Sequence, residues 1–318
     1  MNEIKEIVQR HYGLKVSHLS PQKGGWAALA YKVIAEGQTY FLKIYEKSRA
    51  STPKWTALID DYVPLLLWLQ EHSALQGKIP EPLPTKSGGY RCENEEGIFL
   101  LYAYIEGDTI GPAELTDDQV AQLADIVAEL HAYGEEVPVP AKRIKEDFAV
   151  PFLEPLKQVL DGRYPNVPTD VAEVLRSYVR PLSALIDTVD RLSREWKDQP
   201  LRYALCHTDL HNWNLMVSDG KLILIDWEGL RLAPVEADLM FVADEPYIEA
   251  FLGAYRRRHP EFALNPHLLQ FYQGRRRLED IWEWSEQLIH DPQQAHERAD
   301  ALNSLVKELQ EMPLPLRN

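Results

Sequence analysis

Cys206-His207-Thr208-Asp209-Leu210-His211-Asn212-Trp213-Asn214-Leu215-Met216-Val217 is followed, after Ser218-Asp219-Gly220-Lys221, by Leu222-Ile223-Leu224-Ile225-Asp226-Trp227-Glu228. Asp-Gly between two short apolar runs signals a β-hairpin. A hairpin of this size brings Asn214, at the start of one strand, close to Asp226, at the end of the other. Asp209 stands five residues before Asn214, in a stretch too polar for a core. Two carboxylates and an amide therefore converge at one mouth. Oxygen ligands of this kind suit magnesium, which takes one or two carboxylates and leaves positions for phosphate oxygens and water.

The order His-x-Asp-x-x-x-x-Asn, then a strand ending in Asp, resembles the catalytic and metal-binding segments of kinases. With His207-Thr208-Asp209-Leu210-His211-x-x-Asn214, and Ile225-Asp226-Trp227 in place of Asp-Phe-Gly, the form is similar to the aminoglycoside phosphotransferase and choline kinase family. The tail Leu232-Ala233-Pro234-Val235-Glu236-Ala237-Asp238-Leu239-Met240-Phe241 is similar to the segment after the metal Asp in spectinomycin phosphotransferases. A polar loop beside an ordinary hairpin accounts for one such match, but not for three in this order. The resemblance covers nearly the whole chain from Leu14 onward. It implies a two-lobed, protein-kinase-like α+β fold with a small β-rich N-terminal lobe (1–105) ending at a hinge. The larger, mostly helical C-terminal lobe (106–318) would carry the catalytic and acceptor sites. Strands first and helices later, with one late hairpin, give α+β without the resemblance.

The totals set bounds. A chain of 318 residues, 45% hydrophobic and 26% charged, has the composition of a folded protein with a sizeable core. Its net charge of −15 opposes nucleic acid and anionic membrane surfaces and suits a cationic small acceptor, although acidity also simply aids solubility. Cys92 and Cys206 are far apart without metal spacing and read as free thiols of a reducing compartment. The first residues lack the apolar core of a signal peptide, and no run approaches the ~18 apolar residues of a membrane span. A cytoplasmic protein is the expectation.

Ile4, Ile7, Val8 and Tyr12 recur at helical spacing before Gly13. Three short strands follow, within 14–19, 30–35 and 39–45. The Gly24-Gly25 pair between the first two reads by itself as a turn, and departs from the G-x-G-x-x-G loop of protein kinases. A glycine pair between two strands also lets backbone N–H groups approach phosphates. Lys43 sits inside the apolar strand Phe41-Leu42-Lys43-Ile44-Tyr45. Alone it is a lysine on an exposed strand face; by resemblance it holds the α- and β-phosphates. Thr52-Pro53 opens a helix toward His72 that Pro64 should kink or interrupt. Kinases place a carboxylate here to pair with the lysine, and the sequence offers Asp60, Asp61 or Glu71.

Ile79-Pro80-Glu81-Pro82-Leu83-Pro84 reads as an extended connector, and a hairpin around Asn94-Glu95-Glu96 leads into Tyr102-Ala103-Tyr104. By resemblance the latter is the hinge whose backbone bonds adenine. Thr116-Asp117-Asp118-Gln119 is a capping box, and the helix it opens ends near His131, which reads as structural. Further helices are expected over 147–160, 171–196, 249–259, 265–290 and 293–311. The arginine runs 256–258 and 275–277 read as salt-bridged faces rather than a nucleic-acid site.

The resemblance then implies the roles. Asn214 and Asp226 hold magnesium, Lys43 neutralises phosphate charge, and Asp209 takes the acceptor's proton or only orients its hydroxyl. His207 braces the loop, Asp238 fixes its backbone, and His211 is open. Glu228 is assigned to the acceptor side with Glu279, Trp282 and Glu283. Glu279, Glu283 and Glu286 follow i, i+4, i+7 spacing on one helix face, either a cleft wall or a solvated acidic face. The expected activity is ATP- (or GTP-) and magnesium-dependent phosphorylation of an aminocyclitol such as spectinomycin. Two alternatives remain: a metabolic kinase of the choline, sugar or homoserine type, and a non-catalytic nucleotide-binding module.

Overall fold

Alternating apolar positions build most of the N-terminal third. The computed structural model describes residues 1–22 and 27–312, so Gly24 and Gly25 lie outside the described residues. Helix α1 (Asn2–Tyr12) ends at Gly13, which adopts the left-handed conformation (φ 80°). Strands β1 (Val16–Gln22), β2 (Leu29–Ala35) and β3 (Gln38–Glu46) follow as an antiparallel meander. Helices α2 (Thr52–Thr56) and α3 (Ile59–His72) lead to β4 (Arg91–Glu93) and β5 (Gly97–Ala103). The sheet order is β1-β2-β3-β5-β4. Asn94 shapes the β4–β5 turn, its Oδ1 accepting the N–H groups of Glu96 (3.0 Å) and Gly97 (2.8 Å).

Side chains alternate across a strand, so β3 separates two environments. Tyr40, Leu42 and Ile44 enter a core with Ile7 and Val8 of α1. Lys43 and Tyr45 share the opposite face. The helix expected to break at Pro64 breaks earlier, between Thr56 and Ile59, and Pro64 lies inside α3. A proline there forfeits one backbone bond. The buried side chains Ile59, Tyr62, Val63, Leu65, Leu66 and Leu69 hold the helix together around it.

After the short strand β6 (Asp108–Thr109), Thr116 caps α4 (Asp117–Leu130) in a reciprocal box with Gln119. Thr116→Ala is expected to lower stability by about 1 kcal/mol, read as a shifted denaturant midpoint at unchanged slope. Helices α5 (Leu153–Leu160), α6 (Thr169–Ser177) and α7 (Val179–Trp196) come next. Residues 147–152, expected to be helical, are not. Phe148 is left-handed (φ 60°), and its ring packs against Phe271 and Tyr272.

The chain then forms β7 (Ala204–Cys206), β8 (Leu215–Ser218), β9 (Lys221–Leu224) and β10 (Arg231–Ala233), followed by α8 (Glu236–Leu239) and α9 (Ile248–Tyr255). Helices α10 (Pro266–His290) and α11 (Ala295–Gln310) complete it. Two compact units result. One comprises Met1–Lys47, Thr52–Lys145 and Arg202–Ala263; the other comprises Ser48–Ser51, Glu146–Leu201 and the chain from Leu264 onward. The N-terminal sheet and the β8–β9 hairpin thus share the first unit. The second unit is helical, with α10 packed between α7 and α11.

Both arginine runs contain ion pairs. Arg257 meets Asp125 and Arg258 meets Glu129 in the first unit. In the second, Arg275 meets Glu146, Arg276 meets Asp280 and Arg277 meets Glu308. Among the described residues, no helix is long and apolar enough to cross a membrane.

Candidate active site

The hairpin forms as its sequence dictates. Ser218 pairs with Lys221, and Asp219 (φ 48°) and Gly220 (φ 75°) make the turn with two positive φ angles. At the other end, the N–H of Ile225 donates to Asn214 O (2.9 Å), so Asn214 and Asp226 do stand at one mouth. Asn214 Nδ2 donates to Asp209 Oδ2 (2.8 Å) and to Asp209 O (2.8 Å). The Asp209 carboxylate and the hairpin are therefore tied together. His211 Nε2 lies 3.3 Å from the same Asp209 oxygen, while His211 Nδ1 is buried without a hydrogen-bond partner.

Two residues of this region hold left-handed backbone: Thr208 (φ 67°) and Asp226 (φ 63°). Such conformations cost about 1–3 kcal/mol each and persist where surroundings enforce them. For Thr208 the enforcement is visible. Buried Asp238 accepts the N–H of His207 (3.0 Å) and of Thr208 (2.5 Å), and Thr208 Oγ1 donates to Gly229 O (2.7 Å). A Cβ on Gly229 would stand 2.8 Å from His207 O, so only glycine lets the turn after Asp226 approach this loop. Asp238 is in turn bound by His131 Nε2 (2.9 Å), whose Nδ1 contacts Tyr255 OH (3.0 Å). His131 and Asp238 thus form a buried pair, and Asp238 holds the loop backbone.

His207 braces the loop as a neutral imidazole. Its Nε2 donates to Ile225 O (2.9 Å), and its Nδ1 accepts the N–H of Asp209 (3.2 Å). That pair of bonds requires the Nε2–H tautomer, and burial pushes its pKa down in agreement.

Lys43 reaches the same mouth from β3. Its Nζ lies 2.9 Å from Asp226 Oδ1 and 2.5 Å from Glu228 Oε1. Burial disfavours its charge, but the two carboxylates more than offset this and hold its pKa above the usual lysine value. Burial likewise opposes ionisation of Glu228. Lys43 and the Tyr45 hydroxyl, which donates to Glu228 Oε1, prevail and hold its pKa below the ordinary range.

These pairings correct one expectation. Asp60 pairs with Arg91 (3.0 Å), Asp61 with Arg143 (2.7 Å) and Glu71 is exposed, so the carboxylates on Lys43 come from the segment after β9 and not from α3. Glu228, assigned to the acceptor, is turned inward onto Lys43 and Tyr45. Tyr45 was missed, although the strand period places it on the face of Lys43. Along the hinge stretch, the N–H of Ala103 donates to Glu81 O (2.9 Å), so that donor is taken within the fold. Tyr102 is buried opposite Phe41. Glu279, Trp282 and Glu283 lie on α10 of the second unit. Trp282 is buried edge-to-face against Tyr164, with its Nε1–H on Glu286 (3.2 Å), and the two glutamates are half-buried. Beside them burial pushes the Asp280 carboxyl up to about 6.

The donors at the mouth fit magnesium. Asp226 is one-third exposed and engages Lys43 through one oxygen, and the Asn214 amide nitrogen is committed to Asp209, which leaves its oxygen as the ligand atom. A carboxylate and an amide oxygen leave room for phosphate and water oxygens.

Comparison with known proteins agrees with this geometry. The family model described as "Phosphotransferase enzyme family" matches residues 18–281. Protein StrN of Streptomyces griseus is 25% identical over 224 residues, 66% of this chain; the match spans 65% of StrN's own length. The fold is similar to spectinomycin phosphotransferase APH(9)-Ia in complex with ADP and spectinomycin (TM-score 0.71, 22% identity, 98% of each chain). It is also similar to a microcompartment-associated aminopropanol kinase (TM-score 0.65, 16% identity, 97% of this chain and 95% of that one).

Proposed function

Since the chain belongs to the phosphotransferase enzyme family, we propose that it transfers the γ-phosphoryl group of ATP, with magnesium, to a hydroxyl of a small cationic acceptor. An aminocyclitol of the spectinomycin type is the first candidate. The observation that carries this reading is the convergence of Lys43, Asp226, Asn214 and Asp209 within one unit, each with a hydrogen-bonded partner.

Magnesium held by Asp226 and Asn214 would neutralise phosphate charge. Lys43 adds a second cation at the phosphates. Asp209, fixed by Asn214, faces the acceptor hydroxyl. As the new oxygen–phosphorus bond forms and ADP departs, the hydroxyl proton passes to Asp209. Most of the catalytic gain comes from position and charge, because phosphoryl transfer asks little covalent chemistry of the protein.

The choice of acceptor rests on three supports. The fold is similar to a spectinomycin phosphotransferase. The net charge of −15 attracts a cationic acceptor. Glu279 and Glu283 supply half-buried acidic groups on a single helix, suited to a cationic compound. Cys92 and Cys206 are both buried and neither is in a disulfide, in keeping with a reducing, cytoplasmic setting.

Incubation with ATP, magnesium and a panel of acceptors, followed by mass spectrometry, tests the reading. Spectinomycin should gain the mass of one phosphoryl group, and kanamycin little or none. A gain on choline, a sugar or homoserine with none on spectinomycin would replace the acceptor by a metabolite. ADP release that no acceptor stimulates would favour a binding module.

A further inference from the structure

The geometry points to Glu228 as the residue that positions the phosphate-binding lysine, the task that the kinase resemblance assigns to a carboxylate on the helix after β3. This inference rests on the proposed nucleotide site.

Three observations carry it. First, Glu228 Oε1 receives both Lys43 Nζ (2.5 Å) and the Tyr45 hydroxyl, and its side chain is only 7% exposed. A carboxylate so enclosed does not reach an acceptor in solvent. Second, the carboxylates of α3 stand elsewhere, Asp60 on Arg91, Asp61 on Arg143 and Glu71 exposed beside His72. Third, the two partners of Lys43 differ. The Asp226 side chain is 32% exposed and is also the candidate metal ligand, whereas Glu228 is buried and has a second, uncharged donor in Tyr45.

Lys43 therefore has one exchangeable and one permanent partner. With Asp226 given over to a metal, Lys43 would be released from it to the phosphates. Glu228 still holds the amine from behind, and Tyr45 holds Glu228. The anchor lies two residues beyond Asp226, inside the short helical turn Trp227–Gly229. Ligand aspartate and lysine anchor are thus fixed by one local turn, and the lysine stands in place without any adjustment of α3.

The test is a double-mutant cycle on nucleotide affinity, read by calorimetry with magnesium and a nonhydrolysable ATP analogue. Glu228→Gln keeps the shape and an acceptor oxygen, so the fold survives, and its melting temperature checks this. Glu228→Gln is expected to weaken analogue binding roughly tenfold or more, the scale of removing one member of a buried charge pair. In a Lys43→Met background the same change should add less than about twofold, because the partner is already gone. Tyr45→Phe should produce a smaller loss in the same direction.

Unaltered affinity in Glu228→Gln would overturn the inference, as would an equal loss in both backgrounds. A raised KM for the acceptor with unchanged nucleotide affinity would return Glu228 to the acceptor side. Loss on Asp60→Asn or Asp61→Asn but not on Glu228→Gln would assign the lysine to α3. Failure of the unaltered protein to bind the analogue would reject the nucleotide site and this inference together. A wrong choice of acceptor leaves the binding measurements untouched.

Discussion

Asp209→Asn is expected to lower turnover by about 10²-fold or more while nucleotide affinity stays within about twofold, the scale for losing a positioned acid–base group. The structure explains why the loss should be so selective. Asp209 touches the hairpin through Asn214 Nδ2, and an asparagine at 209 can present its own oxygen to that donor at the same distance. The loop strain at Thr208 is held by Asp238 and Gly229, neither of which the change alters. Melting temperature should therefore change little. What disappears is the negative charge and basicity opposite the acceptor hydroxyl. Steady-state kinetics with the phosphorylated acceptor, beside calorimetry with the nucleotide analogue, separates the two terms. Near-normal turnover would remove Asp209 from the mechanism. A large loss of nucleotide affinity would show that it serves chiefly to hold Asn214.

The parts of this site that can be read from the sequence are those whose partners are close along the chain. The hairpin is set by Asp219-Gly220, the mouth by the lengths of β8 and β9, and the Asp209–Asn214 contact by five residues of loop. The cap of α4 is equally local. Pairings set by tertiary packing are not legible in this way. Lys43 and Glu228 are 185 positions apart, and only the assembled fold shows that Glu228 turns inward. Two local facts pointed toward it: Tyr45 shares the face of Lys43, and Glu228 follows Asp226 by two residues. Pro64 misleads for the opposite reason. Its local cost is one hydrogen bond, and the buried face of α3 outweighs it. Phe148 likewise leaves the helical pattern because its ring is packed between Phe271 and Tyr272 and its N–H bonds Glu146 Oε1 (2.7 Å).

Asp226→Ala is expected to abolish magnesium-dependent nucleotide binding and reduce kcat/KM on the order of 10³-fold, the scale for removing a group that organises transition-state charge. The variant should nonetheless fold. Lys43 would lose one partner but keep Glu228, so no buried ammonium is left unpaired. Alanine also relaxes no contact of the strained loop, since Thr208 is held from Asp238 and Gly229. Weak nucleotide binding through Lys43 should persist without magnesium, because a lysine held by a single carboxylate retains charge for the phosphates. Asn214→Ala should differ in kind. It removes a neutral ligand, so metal affinity falls less than in Asp226→Ala, but it also frees Asp209 from its clamp and so lowers kcat. Titrating magnesium at fixed analogue concentration, for both variants and the unaltered protein, reads the metal effect apart from turnover. If both variants bind magnesium and analogue as the unaltered protein does, the hairpin mouth is not the metal site. If Asn214→Ala loses the metal as completely as Asp226→Ala, the amide oxygen contributes as much as the carboxylate, and charge is not what decides binding there.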